Sequence, residues 1–396
     1  MRYDIILMQL TTKLTQREGE GAVDGSGAAS NPTTTSVPQA LDPRFYLDSA
    51  VLQHELETIF SRTWQYAGHV GDLPEPGRYL TAVAGDQPVL VLRGDDGEIR
   101  AFRNVCRHRG SQLLTGAGQC KKAIRCRYHG WTYKLDGDLI GVPEARSIPD
   151  LDKSSLGLFP ARVETLAGLI FVNLDIHARP LAEQVPGLEE RFAEYGIEGL
   201  VPHKPLDGTQ PANWKIVADN YLEGYHVPIA HPGLMRLYDY KNYDVELHDG
   251  YAWFDAPLRD KPSGNLMERA YQRLVTPMPG VREENRRIWR YVFIYPNTAI
   301  DLYPDQVWVW KLDSDGPKAT RDTAMLYRHP NASVRTRLAQ YFNRKVNALV
   351  GEEDVDLVAN VQAGLESRGW EPGPLSGREA AVGWFADKLR ADLGEG

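Results

Sequence analysis

The sequence is poor in cysteine: only Cys106, Cys120 and Cys126 occur among 396 residues. So small and odd a number excludes a framework of disulfides, and we expect the protein in a reducing cytoplasm. No run of 18 apolar residues occurs, so we predict no membrane-spanning helix and no membrane partner. The first ten residues include Asp4 and are followed by no convincing cleavage site, so we expect no signal peptide.

Positive charge is also scarce. Lys and Arg number 45 against 53 Asp and Glu, and the net charge of −8 argues against a general nucleic-acid binder. The length of 396 residues allows two domains with sizeable cores. Aromatic residues are plentiful, with nine Trp and 19 Tyr, and they suit an aromatic-lined pocket, although most are expected in the core.

Two short motifs dominate the first half of the chain: Cys106-Arg-His108 and Cys126-Arg-Tyr-His129, separated by the 17 residues 109–125. Two cysteines and two histidines can bind zinc, or a two-iron, two-sulfide cluster in which two histidines replace two cysteines on one iron. Zinc fingers usually pair Cys with Cys and then His with His. Here each motif has Cys and then His, so each loop can give one ligand to each iron. The order indicates a Rieske cluster, with zinc as the alternative.

A second group of metal-binding residues follows. Asp219, Glu223 and His226 are spaced i, i+4 and i+7, which predicts one face of a helix. Pro228 is expected to break that helix, so that His231 turns back toward the same point. Two histidines and a carboxylate with open positions form the facial triad of non-haem Fe(II) oxygenases. Two ordinary core or surface histidines are the alternative.

The sequence segments around these residues resemble those of the terminal oxygenase (alpha) subunit of the Rieske non-haem iron oxygenases. These segments are NVCRHRG, CRYHGWTYKLDG and DNYLEGYHVPIAHP. The resemblance runs from about Phe45 to the C-terminus. It implies a Rieske 2Fe-2S cluster, a mononuclear Fe(II) held in part by His226 and His231, and O₂ as co-substrate. The cluster ligands that it implies are Cys106, His108, Cys126 and His129. It also implies that Glu223 bridges the two metal sites, and we take Asp219 as a second candidate catalytic residue.

The resemblance places the third iron ligand in a late helix, where four carboxylates occur: Glu352, Glu353, Asp354 and Asp356. Asp354 lies four residues after Val350 and four before Val358, on an apolar stripe, so it is expected to point inward. A lone inward carboxylate is costly without a partner such as a metal, which favours Asp354 as the ligand. Glu353 lies next to this stripe and is the rival, whereas Asp356 falls on the polar face.

We predict an α+β protein with a small all-β Rieske domain and a larger catalytic domain, in which helices flank an antiparallel sheet. Residues 1–40 are rich in Gly, Ser, Thr, Ala and Pro and are predicted to be a disordered arm. A helix is expected within 41–62, the Rieske domain over 63–173, where GDDG and LDGD read as hairpin turns, and the catalytic domain over 174–396. Within the catalytic domain the predicted helices cover 182–196, 213–227, 333–367 and 379–393.

The chain has no Gly-rich dinucleotide motif after a strand. The resemblance therefore implies a separate NAD(P)H reductase, acting directly or through a ferredoxin. DNYLEGYHVPIAHPGL resembles members that oxidise choline, betaines, carnitine and stachydrine, which implies monooxygenation or N-demethylation of a small quaternary ammonium compound. One alternative is hydroxylation of an aromatic acid, held by Arg236 or Lys241. Another is a Rieske electron carrier or sensor with an idle second site.

A methylammonium group suits an aromatic cage. The candidate walls are Tyr221, Tyr225, Tyr238, Tyr240, Tyr243, Trp253, Trp308 and Trp310. Four arginines beside the cluster ligands could dock an acidic electron donor, or be ordinary solvated charges: Arg107, Arg109, Arg125 and Arg127. The resemblance further implies a homotrimer, or two stacked trimers, in which the cluster of one subunit faces the mononuclear iron of the next.

Overall fold

The computed structural model describes residues 39–395. The disordered arm predicted over residues 1–40 therefore lies outside the described residues, except for Gln39 and Ala40. Ala40 donates its backbone N–H to the carbonyl of Gly373 at 3.1 Å, so these last two residues of the predicted arm adjoin the C-terminal part of the chain.

The predicted N-terminal helix forms as two short helices, α1 (Pro43–Leu47) and α2 (Ser49–Glu55), and a π-helical turn extends α2 to Phe60. The Asp48 carboxylate caps α2 by accepting the N–H of Ala50 at 2.7 Å. Apolar side chains at helical spacing bury one side of this region in the core of the catalytic part.

The strands up to residue 173 form a seven-stranded sheet of order β1-β10-β9-β4-β3-β2-β5 and a three-stranded sheet of order β6-β7-β8. All pairs are antiparallel, and the GDDG and LDGD turns join β3 to β4 and β7 to β8, as predicted. In chain order the strands are β1 (Gln65–His69), β2 (Arg78–Ala84), β3 (Gln87–Arg93), β4 (Ile99–Arg103), β5 (Ala117–Gln119), β6 (Ile124–Arg125), β7 (Thr132–Tyr133), β8 (Leu139–Gly141), β9 (Pro160–Leu166) and β10 (Leu169–Asn173).

The later strands form a second seven-stranded antiparallel sheet of order β11-β17-β16-β15-β14-β13-β12. Because side chains alternate along a strand, one face of this sheet packs mainly apolar side chains into the core and the other carries polar and aromatic side chains. The strands are β11 (Val201–Gln210), β12 (Asp244–Leu247), β13 (Tyr251–Pro257), β14 (Ile288–Ile294), β15 (Thr298–Tyr303), β16 (Gln306–Ser314) and β17 (Thr320–Arg328).

Helices surround the second sheet, which makes the chain α+β as predicted. They are α3 (Leu181–Gln184), α4 (Leu188–Phe192), α5 (Trp214–Tyr221), α6 (Val227–Ala230), α7 (Pro232–Leu237), α8 (Leu266–Leu274), α9 (Val334–Leu365) and α10 (Ala380–Asp392). The last two agree with the predicted helices over 333–367 and 379–393. Among the described residues, none of the helices combines the length and the apolar composition that crossing a membrane requires.

Two predicted helices are shorter than expected. The one over 182–196 is interrupted between α3 and α4, where Pro186 lacks the N–H that a helix needs and Gly187 takes a left-handed φ of +75°. The one over 213–227 ends at Tyr221, so the chain reaches the second metal-binding motif as a turn. The polar residues in that stretch therefore do not share one helix face.

Candidate metal centres and substrate cavity

The two cysteine motifs form loops of the same design. In each loop the N–H of the cysteine donates to the carbonyl of the residue five positions later, Ser111 or Trp131, at 2.8 Å. In each, the glycine four positions after the cysteine returns its N–H to the cysteine carbonyl at 3.1 Å. These glycines, Gly110 and Gly130, have φ values of +72° and +75°, which a residue with a Cβ adopts only at a cost. Two equivalent turns therefore present the motif side chains.

The two loops bring the motif residues close together, with His108 beside His129. Cys106 and Cys126 are buried, whereas His108 is exposed and His129 is partly exposed. The two imidazole rings lie edge to face with centroids 4.6 Å apart, and His108 stacks on Trp131 at 4.8 Å. Thiols on the inside and imidazoles on the outside are the arrangement that a cluster with one buried and one surface iron requires.

The same four residues do not suit a single ion. A tetrahedral zinc site would place its ligand atoms within about 4 Å of one another. Among residues 39–395 the one group of three or more His, Cys, Asp or Glu ligands that lies within 4.8 Å is elsewhere in the chain. The wider spacing of the motif residues speaks against the zinc alternative and fits a two-iron cluster.

The surroundings of the two thiols differ in their hydrogen bonds and in their effect on the thiol pKa. The hydroxyl of Tyr133 lies 3.3 Å from Cys106 Sγ and accepts the N–H of Arg107 at 3.0 Å, and such hydrogen bonds tune the potential of a cluster. Burial raises the pKa of the Cys106 thiol. Burial acts in the same direction on Cys126, but the backbone N–H of Tyr128 and other hydrogen bonds outweigh it and lower the pKa of that thiol.

Of the four arginines beside these loops, one is already engaged. The Arg107 guanidinium donates to the carbonyl of Gly157 at 2.6 Å and lies 3.8 Å from the ring centroid of Phe159. The exposed members are Arg109, Arg125 and Arg127.

The second metal-binding motif gathers three side chains, His226, His231 and Asp354. The Nε2 atoms of the two histidines lie 3.1 Å apart, and Asp354 Oδ1 lies 3.0 Å from His231 Nε2 and 3.7 Å from His226 Nε2. Ligands about 2.1 Å from one ion and at right angles lie about 3.0 Å apart. Three electron-rich atoms at this spacing would repel one another without a cation, so the residues fit a facial triad with one side open.

Each histidine is held from its other nitrogen by a carboxylate. His226 Nδ1 contacts Glu223 Oε1, and His231 Nδ1 lies 2.7 Å from Glu353 Oε2. An ionised carboxylate only accepts hydrogen bonds, so Nδ1 carries the proton and Nε2 offers its lone pair to a metal. Burial would lower the pKa of His231, but the Asp354 and Glu353 carboxylates outweigh it and raise the pKa. Glu353, the predicted rival ligand, thus accepts a hydrogen bond from His231 Nδ1, on the side of the ring opposite Nε2.

Our expectation that Asp219, Glu223 and His226 share one helix face is wrong, because α5 ends at Tyr221. The Glu223 carboxylate accepts the backbone N–H of Tyr225 and, at 3.1 Å, that of His226. These N–H groups are then not available to continue the helix. Side-chain caps of this kind compete with helix formation.

Pro228 also acts differently from the prediction. It occupies the first turn of α6, where a missing N–H costs nothing, and so begins a helix instead of ending one. His231 still turns back toward His226, because α6 ends at Ala230 and α7 starts anew at Pro232.

Asp219 makes no direct contact with His226, His231 or Asp354. Its carboxylate is buried and accepts a hydrogen bond from the hydroxyl of Tyr46 at 2.7 Å, while its Oδ1 atom has no partner among the described residues. Burial raises the pKa of Asp219 to about 7, with Glu223 contributing in the same direction. Asp219 therefore does not contact the triad, and no contact supports its predicted catalytic role.

A cavity of about 420 Å³ opens beside the triad. Five of the eight candidate aromatic walls line it: Tyr221, Tyr238, Tyr243, Trp308 and Trp310. Sequence reasoning missed Tyr291 and Tyr303, which the alternation along β14 and β15 could have indicated. Tyr225, Tyr240 and Trp253 do not line it, and Trp253 instead lies under the Arg191 guanidinium at 3.8 Å.

Neither of the basic residues that we considered for an acidic substrate reaches the cavity. Arg236 forms an ion pair with Glu268, and Lys241 is an exposed residue that does not line the cavity. Of the described residues that line the cavity, none is Lys or Arg.

Two family matches cover most of the described chain. Residues 63–152 match the Rieske 2Fe-2S domain, and residues 196–395 match the catalytic domain of the ring hydroxylating alpha subunit. The chain is similar to the carnitine monooxygenase oxygenase subunit of Acinetobacter baumannii, with 30% identity over 334 residues that cover 82% of this chain and 85% of that protein.

Two further similarities agree. The glycine betaine monooxygenase oxygenase subunit of Chromohalobacter salexigens is 30% identical over 395 residues, covering 90% of this chain and 86% of that protein. A solved structure of a quaternary ammonium Rieske monooxygenase, described in connection with carnitine oxidation and inter-subunit electron transfer, superposes with a TM-score of 0.78 at 28% identity. That comparison covers 90% of this chain and 96% of the other.

Proposed function

The chain belongs to the Rieske oxygenases with a catalytic domain of the ring-hydroxylating alpha-subunit type, and from this premise we propose that it oxidises a small quaternary ammonium compound. The enzyme is an oxidoreductase whose cofactors are a Rieske 2Fe-2S cluster and a mononuclear iron, with O₂ as co-substrate. The observation that carries the substrate class is the cavity of aromatic side chains beside His226, His231 and Asp354, in which no described lining residue is Lys or Arg.

We assign the cluster to the two cysteine loops and the iron to the triad. The proposed cluster ligands are Cys106, His108, Cys126 and His129. The bound metal centres supply electron transfer and O₂ activation. The chain's own contribution is position: Glu353 and Glu223 hold the two histidines in the tautomer that binds metal, and Asn220 donates to Asp354 Oδ1 at 3.1 Å.

The overall reaction that we propose replaces a C–H bond of the substrate with C–OH. The second oxygen atom of O₂ leaves as water, and two electrons and two protons balance the reaction. Hydroxylation of an N-methyl carbon would release formaldehyde, and attack elsewhere would give an aldehyde or trimethylamine. We propose that a separate NAD(P)H reductase, directly or through a ferredoxin, supplies the electrons.

The cavity suits a cation better than an acid. Aromatic faces attract a methylammonium group, and the attraction grows where water is excluded. An aromatic acid would need a basic partner for its carboxylate, and the Arg236 guanidinium is held by Glu268. A pure electron carrier would have no use for a second converging ligand set, so the carrier and sensor alternatives leave the triad unexplained.

We also propose a ring of three subunits, alone or as a stacked pair. In support, apolar side chains are exposed around both centres: Tyr128 beside His129 is 58% exposed, and Tyr225 and Ile229 around His226 are 58% and 88% exposed. Exposed apolar patches of this kind commonly mark interfaces. Head-to-tail contact of the two patches in a closed ring would bring the cluster of one subunit to Glu223 of the next.

The test is O₂ uptake by the iron-loaded protein with a surrogate reductase, together with product analysis. Choline, glycine betaine and carnitine are compared with benzoate. Uptake coupled to formaldehyde, an aldehyde or trimethylamine from a quaternary ammonium compound supports the proposal, and uptake with benzoate alone overturns it. Iron content separates an enzyme from a carrier, because the proposal requires three iron atoms per chain and a carrier has two.

A further inference from the structure

One face of the second sheet forms a wall of the cavity. Asp301 on β15 is paired in register with Tyr291 on β14 and with Trp308 on β16. Residues opposite each other in antiparallel strands point to the same face, so these three side chains lie together. Leu312 and Asp322 are paired in the same way between β16 and β17, and all five residues line the cavity.

Asp301 is a buried carboxylate surrounded by donors. It accepts hydrogen bonds from the Tyr221 hydroxyl at 2.9 Å, from Trp310 Nε1 at 2.9 Å and from the Tyr303 hydroxyl at 3.3 Å. Burial raises the pKa of Asp301 to about 6, and the three donors act in the opposite direction, because hydrogen bonds donated to a carboxylate stabilise its ionised form. The donors are themselves walls of the cavity, which places the charge within the aromatic cage.

This charge has no cationic partner in the described chain. No ion pair of Asp301 or Asp322 with Lys, Arg or His occurs among residues 39–395, and no Lys or Arg lines the cavity there. The iron proposed for the same cavity would be balanced by Asp354 directly, with Glu223 and Glu353 acting through the histidines. A buried charge without a partner is costly, so a ligand cation is the natural counter-ion.

The cavity also holds a free hydrogen-bond donor. Trp308 is 2% exposed, and its Nε1 atom has no acceptor among the described residues. A buried indole N–H normally has a partner. An acceptor atom on the ligand would satisfy it.

We infer that Asp301 is the counter-ion of the substrate, and that the substrate is a small quaternary ammonium compound with a neutral hydrogen-bond acceptor, such as a hydroxyl group, and no carboxylate. The inference rests on the proposed function and narrows it. The aromatic rings hold the methyl groups, Asp301 balances the positive charge, and Trp308 donates to the acceptor. A ligand carboxylate in this space would face Asp301 and Asp322 without a basic partner, and the cavity would reject it by repulsion.

Three probes of nearly equal shape separate these contributions. Choline carries the cation and a hydroxyl, 3,3-dimethylbutan-1-ol replaces its nitrogen by carbon, and glycine betaine replaces its alcohol carbon by a carboxylate. Binding to the iron-loaded wild-type enzyme is measured by titration calorimetry. We expect choline to bind at least about tenfold more tightly than either of the other two probes.

The Asp301→Asn variant then assigns the preference to one residue. It should weaken choline binding by about tenfold or more and change the affinity for 3,3-dimethylbutan-1-ol by less than about twofold. Asp305→Asn is the matched control, because Asp305 is a buried carboxylate of the same hairpin that does not line the cavity, and it should bind all three probes like wild type. The visible spectrum of the cluster and the content of mononuclear iron together show that each variant is folded.

Two results would overturn the inference and leave the proposed function standing. One is wild-type binding of glycine betaine as tight as that of choline, which needs no variant. The other is unchanged choline affinity in a folded Asp301→Asn enzyme. Failure of every trimethylammonium probe to bind or to stimulate O₂ uptake, with uptake on benzoate, would overturn the proposed function and this inference together.

Discussion

Glu353 and Asp354, neighbours on α9, contact opposite sides of the His231 ring: Glu353 Oε2 lies 2.7 Å from Nδ1, and Asp354 Oδ1 lies 3.0 Å from Nε2. In the proposed iron site, Glu353 would therefore orient the His231 imidazole, and Asp354 would bind the metal beside it. Carboxylates behind metal-binding histidines raise ligand basicity and fix the ring, and their loss commonly costs 10–100-fold in affinity.

Replacing Glu353 with Gln should accordingly weaken iron binding by about 10–100-fold, because the amide keeps the shape but not the charge. Asp354→Ala should lose the mononuclear iron altogether, and Asp356→Asn, an exposed change on the same helix, should lose none. Iron content after dialysis against graded chelator measures the effect, and the cluster spectrum should be unchanged in all three. Iron binding lost in Asp356→Asn alone would contradict the assignment.

Glu223→Gln should keep both metal centres loaded and slow oxygenation by about tenfold or more. The Glu223 carboxylate contacts His226 Nδ1 and two backbone N–H groups, so an amide of equal size preserves the turn while it weakens the hold on the ring. The rate at which the reduced cluster is reoxidised by O₂ with substrate, in a single turnover, measures the step. Wild-type reoxidation in this variant would show that Glu223 is not on the path between the centres.

The buried pair of Glu55 and Lys215 should behave as a unit of stability. Lys215 Nζ lies 2.6 Å and 2.9 Å from the two carboxylate oxygens, and both side chains are 0% exposed. Removing one partner leaves a buried charge, so Lys215→Met should cost about 3–5 kcal/mol. The double variant Glu55→Gln, Lys215→Met should recover most of that loss, as urea unfolding can measure.

An exposed pair provides the comparison for that experiment. Arg321 and Asp207 are 54% and 61% exposed, and Arg321→Met should cost less than about 1 kcal/mol. A loss in Lys215→Met no larger than this would mean that the buried pair contributes little.

Asp305 should make the wild-type protein less stable at high pH. It is fully buried, neither carboxylate oxygen has a partner among the described residues, and burial raises its pKa from 3.8 to about 7. A raised carboxyl pKa means that the folded state binds the proton more tightly than the unfolded state does. The stability that this proton contributes is complete below about pH 4 and is lost as the pH rises through about 7.

Asp305→Asn removes this titration, so its advantage over wild type should be larger at pH 8 than at pH 5, by up to roughly 3 kcal/mol. Urea unfolding at the two pH values measures the difference. An advantage that is the same at both values would contradict the buried charge.

Some of the molecule could be predicted from local spacing alone. Each cysteine motif is followed closely by a turn-forming glycine, Gly110 or Gly130. The hydrogen bonds that shape each loop therefore join residues close in sequence. The apolar stripe of the late helix selected Asp354 over Asp356, and the structure brings Asp354 to the two histidines. The assignment of these residues as ligands stays a prediction.

Other features depend on register and tertiary contact, which spacing does not show. Asp301 faces the cavity because β15 pairs with β14 and β16 in one register, and a shift by one residue would turn it into the apolar core. Helical periodicity leaves Glu353 as a rival ligand, because it cannot tell which nitrogen of His231 a carboxylate will contact. The helix predicted over 213–227 fails for a similar reason, since the Glu223 side chain competes for the backbone N–H groups.

The proposed ring predicts that two inactive variants restore each other. Cys106→Ser should lack the cluster and keep the mononuclear iron, while His226→Ala should lack that iron and keep the cluster. If electrons cross between subunits, a His226→Ala chain can serve the iron of a Cys106→Ser neighbour. In a head-to-tail ring, random mixing in equal amounts makes about one contact in four productive, so about a quarter of wild-type activity should return.

Subunit exchange must be shown independently, by mass spectrometry of differently tagged chains, because unmixed rings would stay inactive for a trivial reason. Each variant alone, carried through the same exchange protocol, is the control and should remain inactive. Hybrid rings that form and yet show no activity would mean that electrons stay within one chain. In that case the exposed Tyr128 and Ile229 would need another explanation, since their contact across a subunit boundary is what the ring requires.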